Sequence, residues 1–384
     1  NIFIGCSAGQ GTGTAADNTG LKNIALGMGA LEKLSTGDDN IIMGTLAAGN
    51  ITTSNCNIIF GNMAGYYSTS GDHNIYIGKS AGSDIGTGAG NIFIGQQAGS
   101  GSGTAADNDA SNNIAIGNSA GDELTDGDNN IFMGNSAGAK TTTGLANVMI
   151  GNYAGQCHVS GSENTYINHC AGRCMCNGSA NIAIGQHALQ GSSTVSNNTG
   201  QRNVAIGKGA GCVMSGGADN VFIGYYTAKN ATTAGCNIFI GKYAGQSTTT
   251  GTHNIALGRN AMMSGAVTGM QNFVVGCNAG QDITSGCYNI LFGRNAARGL
   301  TTGCSNIAMG TGTLGGDLDT AVTGCHNIAI GNLTAIGATS ACYNVVMGNS
   351  AGRCITTGAY NSFYGMGSGN MNRGTHNVAS GYYA

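Results

Sequence analysis

A short pattern of apolar and small residues recurs along the whole chain. Each repeat opens with Asn, which is followed by an aliphatic residue, a variable apolar residue, a second aliphatic residue and then Gly, as in NIFIG at residues 1–5. This tight run of β-branched residues is typical of a short strand, and the glycine content argues against a helix. Each repeat therefore predicts one short strand that ends at a corner.

The spacing of the repeats indicates how they are stacked. The chain holds 22 repeats, and most of them are 17 residues long. Residues 1–90, 91–180 and 181–271 are blocks of five repeats with one lengthened repeat each, and residues 272–384 are less regular. The extra residues GTAADN, GTAADN and TVSNNT fall at the same place in the repeat, which predicts a loop that bulges from one corner.

A unit of this length cannot stand alone, because it buries too few side chains to offset the entropy of ordering its backbone. Stacked units share burial and hydrogen bonds with their neighbours. We therefore predict an all-β fold, a parallel β-solenoid (β-roll or β-helix) of about 22 coils that forms a single repeat domain over residues 1–384. The sequence opens inside the pattern without Met, so we expect it to be a segment of a longer protein.

Composition excludes several classes of protein. The chain has 70 Gly, no Pro and only 8% charged residues, yet 41% of its residues are hydrophobic, which excludes a disordered linker. Its net charge of −3 predicts no basic surface for nucleic acid. No apolar run approaches the ~18 residues of a membrane span. We expect neither a nucleic-acid partner nor a membrane-spanning segment.

The opening asparagines predict a ladder of side-chain hydrogen bonds. Stacked coils lie ~4.8 Å apart, so equivalent Asn amides would form one column that satisfies buried turn groups. The predicted ladder in the first half of the chain comprises Asn1, Asn23, Asn40, Asn57, Asn74, Asn91, Asn113, Asn130, Asn147, Asn164 and Asn181. The corner residue is Gly in every repeat except one, which has Asn168, and this exchange predicts a positive φ at the corner.

The third position of the strand suggests an interface between chains. It is never charged, and neighbouring positions two and four point to the opposite face of the strand, which we assign to the inside of the coil. An apolar stripe that ran along every coil would exceed the largest apolar patch of a typical monomer. We therefore predict that it packs on other copies of the chain through Phe3, Tyr76, Phe93, Phe132, Tyr166, Phe222, Phe239 and Phe363.

The repeats resemble known fibre proteins. The NIAIG strand at residues 113–117 and the TTG turn at residues 142–144 resemble the Gly/Asn-rich repeats of bacteriophage tail fibres, especially those of marine and cyanobacterial phages. They are also similar to the SVAIG-type coils in the heads of trimeric autotransporter adhesins. The resemblance covers essentially the whole chain, which departs from the adhesin heads in its longer unit and its cysteine content.

The resemblance implies a homotrimeric fibre on a virion or outside a cell, with a host-surface glycan or receptor as a further partner. The leading hypothesis is a structural and adhesive fibre shaft of a phage tail fibre or similar appendage. The alternative is a microbial cell-surface adhesin or extracellular filament protein. Rows of adjacent Thr, such as Thr142–Thr143 and Thr249–Thr250, also admit an ice-binding solenoid, but ice-binding strands usually alternate Thr with another residue.

Cysteines are frequent and fall at equivalent places in neighbouring repeats. Four lie two positions before the next opening Asn, namely Cys287, Cys304, Cys325 and Cys342. Cys157 and Cys174 are equivalent in adjacent repeats. The coil spacing is within the Cα range of disulfides, so the columns are either disulfide staples or stacks of packed thiols.

The segment NHCAGRCMCNG at residues 168–178 invites a zinc-site interpretation. Its spacing is not that of a zinc motif, and we expect the coil to scatter these side chains around its perimeter. No Ser-His-Asp or paired-carboxylate arrangement recurs in the repeats. We therefore predict no metal site, no cofactor and no enzyme activity.

Overall fold

The computed structural model describes residues 1–13, 18–102, 108–192, 198–315 and 321–384. The predicted bulging loops fall largely on residues 14–17, 103–107 and 193–197, which lie outside the described residues. The chain divides into two compact units, Asn1–Thr199 and Gly200–Ala384. Both units are built from the same coil.

Every strand has three residues and follows the Asn that opens its repeat. The first unit contains β1 (Ile2–Ile4), β2 (Ile24–Leu26), β3 (Ile41–Met43), β4 (Ile58–Phe60), β5 (Ile75–Ile77), β6 (Ile92–Ile94), β7 (Ile114–Ile116), β8 (Ile131–Met133), β9 (Val148–Ile150), β10 (Thr165–Ile167) and β11 (Ile182–Ile184). The second contains β12 (Val204–Ile206), β13 (Val221–Ile223), β14 (Ile238–Ile240), β15 (Ile255–Leu257), β16 (Phe273–Val275), β17 (Ile290–Phe292), β18 (Ile307–Met309), β19 (Ile328–Ile330), β20 (Val345–Met347), β21 (Ser362–Tyr364) and β22 (Val378–Ser380).

Neighbouring strands within each unit pair in parallel, with equivalent residues side by side. Between β6 and β7, for example, Ile92 pairs with Ile114 and Ile94 pairs with Ile116. The backbone N–H of Ile92 donates to the carbonyl of Asn113 at 2.8 Å, and the N–H of Gly117 donates to Ile94 at 2.8 Å. The predicted fold is confirmed: the described chain is all-β, a parallel β-solenoid with one strand in each coil.

The corner after each strand requires a positive φ, which explains its glycine. The φ of this residue runs from 113° at Gly365 to 146° at Gly61. A Cβ at Gly134 would lie 2.6 Å from the carbonyl oxygen of Gly151 in the next coil, so an ordinary side chain has no room there. Asn168 holds the same place with a φ of 100°.

The core of each coil is narrow and is filled by few side chains. The middle strand residue packs there with the Ala of the Ala-Gly step and a third residue further along, as Phe132, Ala137 and Leu124 show in neighbouring coils. A Cβ at Gly138 would collide with the ring of Phe132. The Ala-Gly step is therefore small because the strand residue opposite it is large.

Candidate functional site

The opening asparagines form a continuous buried column inside each unit. The Nδ2 of Asn130 donates to the Oδ1 of Asn113 at 3.0 Å, and the Nδ2 of Asn147 donates to the Oδ1 of Asn130 at 3.1 Å. The same Oδ1 of Asn130 also accepts the backbone N–H of Asn147 at 2.9 Å. One side chain thus binds both the coil before it and the coil after it.

The asparagine also closes its own coil. The Nδ2 of Asn130 donates to the carbonyl of Gly144, 14 residues later, at 2.8 Å. Asn130 is fully buried, and the bond satisfies a turn carbonyl that water does not reach. The second unit repeats the arrangement, for example from Asn289 to Asn272 at 2.9 Å and to Gly303 at 2.9 Å.

The prediction that the third strand position forms an interface between chains is wrong for these residues. Seven of the eight side chains are fully buried within the single chain, where they fill the inside of the coil: Tyr76, Phe93, Phe132, Tyr166, Phe222, Phe239 and Phe363. Phe3, in the first coil, is 37% exposed. Rings in adjacent coils stack on one another, with centroids 5.2 Å apart for Tyr76 and Phe93 and 5.6 Å apart for Phe222 and Phe239.

The exposed face of the strands carries positions two and four instead. Met133 is 38% exposed and Ile182 is 38% exposed in the first unit, and Ile240 is 40% and Phe292 is 50% exposed in the second. We call these two rows the outer face. It has no charged residue, and the exceptions to its apolar character are Thr165, Ser362, Tyr364 and Ser380.

A second column of hydrogen bonds runs two positions before the opening Asn. Here the side chain of one coil accepts the backbone N–H of the equivalent residue in the coil before it. Asp38 accepts from Leu21 at 2.6 Å, and Asp128 accepts from Ser111 at 2.7 Å. This column was not predicted, although the recurrence of Asp, Asn, Ser and Cys at one position of the repeat is a signal for it.

The four predicted cysteines belong to this second column. The Sγ of Cys304 accepts the N–H of Cys287 at 3.3 Å, and the Sγ of Cys325 accepts the N–H of Cys304 at 3.1 Å. The Sγ of Cys342 in turn accepts the N–H of Cys325 at 3.2 Å. All four are thiols, and each occupies a hydrogen-bonding place that other coils give to oxygen. Disulfide formation among them stays a prediction.

Cys157 and Cys174 are neighbours in a basic environment. A hydrogen bond with the Cys174 thiol is the main cause that lowers the pKa of Cys157. The positive charges of Arg173 and Lys140 lower this pKa further. Arg173 is held in place by its Nε, which donates to the Oε1 of Gln156 at 2.9 Å. A lowered pKa favours the reactive thiolate form of Cys157.

Next to these thiols, the structure brings together three side chains that the sequence analysis expected to be scattered. One ring nitrogen each from His169 and His187 and the Sγ of Cys170 all lie within 4.8 Å of one another. The rings of the two histidines meet edge to face with centroids 5.5 Å apart. The expected scattering around the perimeter is therefore wrong for these three residues, because positions six and seven of one coil stack on position seven of the next.

The second unit displays a row of exposed aromatic rings just before the opening asparagines. His326, Tyr343, Tyr360 and His376 stack face to face, with centroids 4.8, 5.1 and 4.9 Å apart. Tyr343 is 49% exposed and Tyr360 is 54% exposed. Since the rings cover one another's faces, the row presents its edges to solvent.

Within the described ranges, no helix is long and apolar enough to cross a membrane. Comparison with protein-family models, with curated proteins and with solved structures finds no match to this chain.

Proposed function

We propose that the chain is a non-enzymatic structural shaft of an extracellular or virion-borne fibre, assembled from copies that pack through the outer face. The observation that carries the proposal is the apolar character of that face in coil after coil of both units. A phage tail fibre or similar appendage is the leading candidate, on the resemblance of the NIAIG and TTG elements to tail-fibre repeats.

The size of the outer face supports burial against a partner. Eleven strands stacked ~4.8 Å apart make a face roughly 50 Å long in each unit. Two rows of aliphatic side chains over that length offer on the order of 500–800 Å², which is near what each partner buries in a stable protein interface. The parts of these Ile and Val side chains that face water contribute no hydrophobic stabilisation unless another surface covers them.

The repetition of the face favours a second copy of the chain as that surface. A partner must present apolar contacts at the same spacing over the same length, and an identical chain in register does so without any further adaptation. Cyclic assembly lets each face meet its copies around one axis. Three-fold symmetry follows from the resemblance to trimeric fibres and adhesin heads.

Analytical ultracentrifugation of matched variants tests the assembly. Ile116→Glu with Ile150→Glu places two charges on the outer face, and Asn118→Glu with Asn152→Glu places two charges in the same coils away from it. We expect the wild type and the Asn variant to sediment as trimers and the Ile variant as a monomer, because assembly would bury its charges without partners. A monomeric wild type, or an assembled Ile variant, would contradict the proposal.

A microbial cell-surface adhesin is the second candidate, since the resemblance extends to adhesin heads and the same shaft would serve either appendage. The coding sequence that adjoins these repeats in the complete gene distinguishes them. A virion-attachment or chaperone domain supports the tail fibre, and a membrane-anchoring domain supports the adhesin.

A further inference from the structure

Metal-binding side chains are concentrated in one part of the first unit. The chain has 14 Cys and 7 His, and seven of these residues fall in the three coils of residues 147–202. We propose that His169, Cys170 and His187 bind a Zn²⁺ ion that links two adjacent coils, with the fourth coordination position open to water.

The distances suit a tetrahedral ion. The Nε2 of His169 lies 3.7 Å from the Sγ of Cys170, and all three candidate ligand atoms are within 4.8 Å of one another. Zinc bonds of about 2.0–2.3 Å place tetrahedral ligand atoms roughly 3.3–3.8 Å apart. His169 Nε2 and Cys170 Sγ already have this separation. The ring nitrogen of His187 needs to approach them by roughly 1 Å, which a side-chain rotation provides.

Burial also suits a bound ion. Cys170 is only 3% exposed, and the histidines are half-buried at the surface of the coil. The Nδ1 of His169 is buried and has no hydrogen-bond partner among the described residues. Coordination through Nδ1, in place of Nε2, would give this nitrogen the ion as its partner. The half-buried side leaves room for water as the fourth ligand.

Other coils show what these positions contain when no ligand is needed. Positions six and seven are Asn118 and Ser119 in one coil and Asn135 and Ser136 in the next. There the Ser hydroxyl donates to the neighbouring Asn Oδ1, at 3.2 Å and 3.3 Å. His169 and Cys170 replace this short polar pair with two residues that both ligate zinc, and His187 adds a third in the following coil.

The backbone next to the cluster differs from that of the other coils in one residue. Asn168, which directly precedes His169, is the residue that stands where the other repeats have the corner glycine. Its φ of 100° is unfavourable for a residue with a Cβ, and its Oδ1 accepts the backbone N–H of His169 at 2.7 Å. Strained backbone persists where the surrounding structure or a function requires it. At Asn168 the corner itself requires the positive φ, as in the other coils, and the Asn side chain in addition holds the backbone of His169.

The donor set limits the choice of metal. Two imidazoles and a thiolate suit zinc and copper, whereas calcium and magnesium require oxygen ligands, and three protein ligands with water in the fourth position are typical of tetrahedral zinc. An ion held by residues of two successive coils would staple them together. This proposed metal site does not depend on assembly of the chain through the outer face.

Cobalt substitution tests the site in the purified, reduced protein. Tetrahedral Co²⁺ absorbs visible light, and a Co²⁺–thiolate bond adds a charge-transfer band in the near ultraviolet. We expect one Co²⁺ per chain with both features, displaced by one equivalent of Zn²⁺. Cys170→Ser should abolish the charge-transfer band, and His187→Gln and His169→Asn should each weaken binding by at least about tenfold.

The three substitutions are taken from other coils of the same chain, where Ser136, Gln97 and Asn135 hold the equivalent positions, so the variants are expected to fold. Cys157→Ser with Cys174→Ser controls for the neighbouring thiols and should leave the Co²⁺ spectrum unchanged. Absence of a Co²⁺–thiolate band in the wild type, its loss only in the Cys157/Cys174 variant, or failure of Zn²⁺ to displace Co²⁺ would each overturn the proposal.

Discussion

The two faces of each strand are both apolar, but only one of them is packed within the chain. In β8, Phe132 is fully buried, whereas the next residue, Met133, is 38% exposed. On the inner face, residue size changes abruptly between neighbouring coils, as from Ala115 to Phe132. On the outer face, position two is Ile or Val in every coil except those of Thr165, Phe273 and Ser362, whereas position four is more variable.

This difference has a physical reason. A closed interior has a fixed volume, so a large ring in one coil is balanced by a small residue in the next or by a glycine opposite. An outer surface has no such limit, and the row of position two presents nearly the same contact at every level. Alternation between Ala and an aromatic ring therefore marks the core of this solenoid, and the nearly constant Ile or Val of position two marks the face available to a partner.

Charge on the two faces gives the largest expected difference. Phe132→Asp buries a carboxylate that has no partner, and we expect it to destabilise the first unit by more than about 4 kcal/mol. Met133→Asp places the same group in water and should cost about 1 kcal/mol or less in the unassembled chain. Urea denaturation followed by circular dichroism measures both. Similar losses for the two variants would refute the assignment of the faces.

The asparagine column extends the comparison to polar groups. Asn130→Ala leaves the buried N–H of Asn147 and the carbonyl of Gly144 without their partners, which should cost about 2–4 kcal/mol. Asn135→Ala in the same coil removes an exposed amide and should cost less than about 0.5 kcal/mol. The same denaturation experiment compares them, and equal midpoints would exclude an energetic role for the column.

Replacing a buried histidine gives the smallest expected effect on stability and the most selective test. His158 lies inside its coil, with Nδ1 2.8 Å from the carbonyl oxygen of Met175 and Nε2 2.8 Å from that of Gly161. Burial lowers the pKa of His158, and these two carbonyls offset only part of the effect.

Because His158 binds its proton more readily in the unfolded chain, stability should fall as the pH drops below about 6.5. Leu124 occupies the position equivalent to His158 in another coil, so we choose the variant His158→Leu. This variant should reduce the difference in melting temperature between pH 7 and pH 5. Calorimetry at the two pH values measures this difference. An unchanged difference would mean that His158 does not titrate with folding.

The fold was predictable from the sequence because local and repeated signals agree. The strand, the glycine corner and the opening Asn recur with a fixed period, and a parallel stack satisfies all of them together. The assignment of the faces was wrong although the necessary signal was present. Asn130 and Phe132 are two residues apart in an extended strand, so their side chains share a face, and a buried Asn column places position three inside the coil.

The candidate metal cluster could not be predicted from spacing alone. His169 and His187 are 18 residues apart, one more than the usual period, and they meet because positions six and seven of the corner adjoin position seven of the next coil. That geometry depends on the positive φ of residues such as Cys170 and His187, which the strand pattern does not reveal. Sequence motifs for zinc describe hairpins and helices rather than the corner of a solenoid.

The asparagine column also has a consequence for how the chain folds. Its hydrogen bonds join residues that are mostly 17 positions apart, as between Asn130 and Asn147. The column therefore forms between coils that are adjacent in the sequence. Contacts of such short sequence separation favour rapid folding, and once one coil has formed it provides the template on which the next can order. A chain that emerges gradually from a ribosome or a secretion channel can therefore fold one coil at a time, before the rest has appeared.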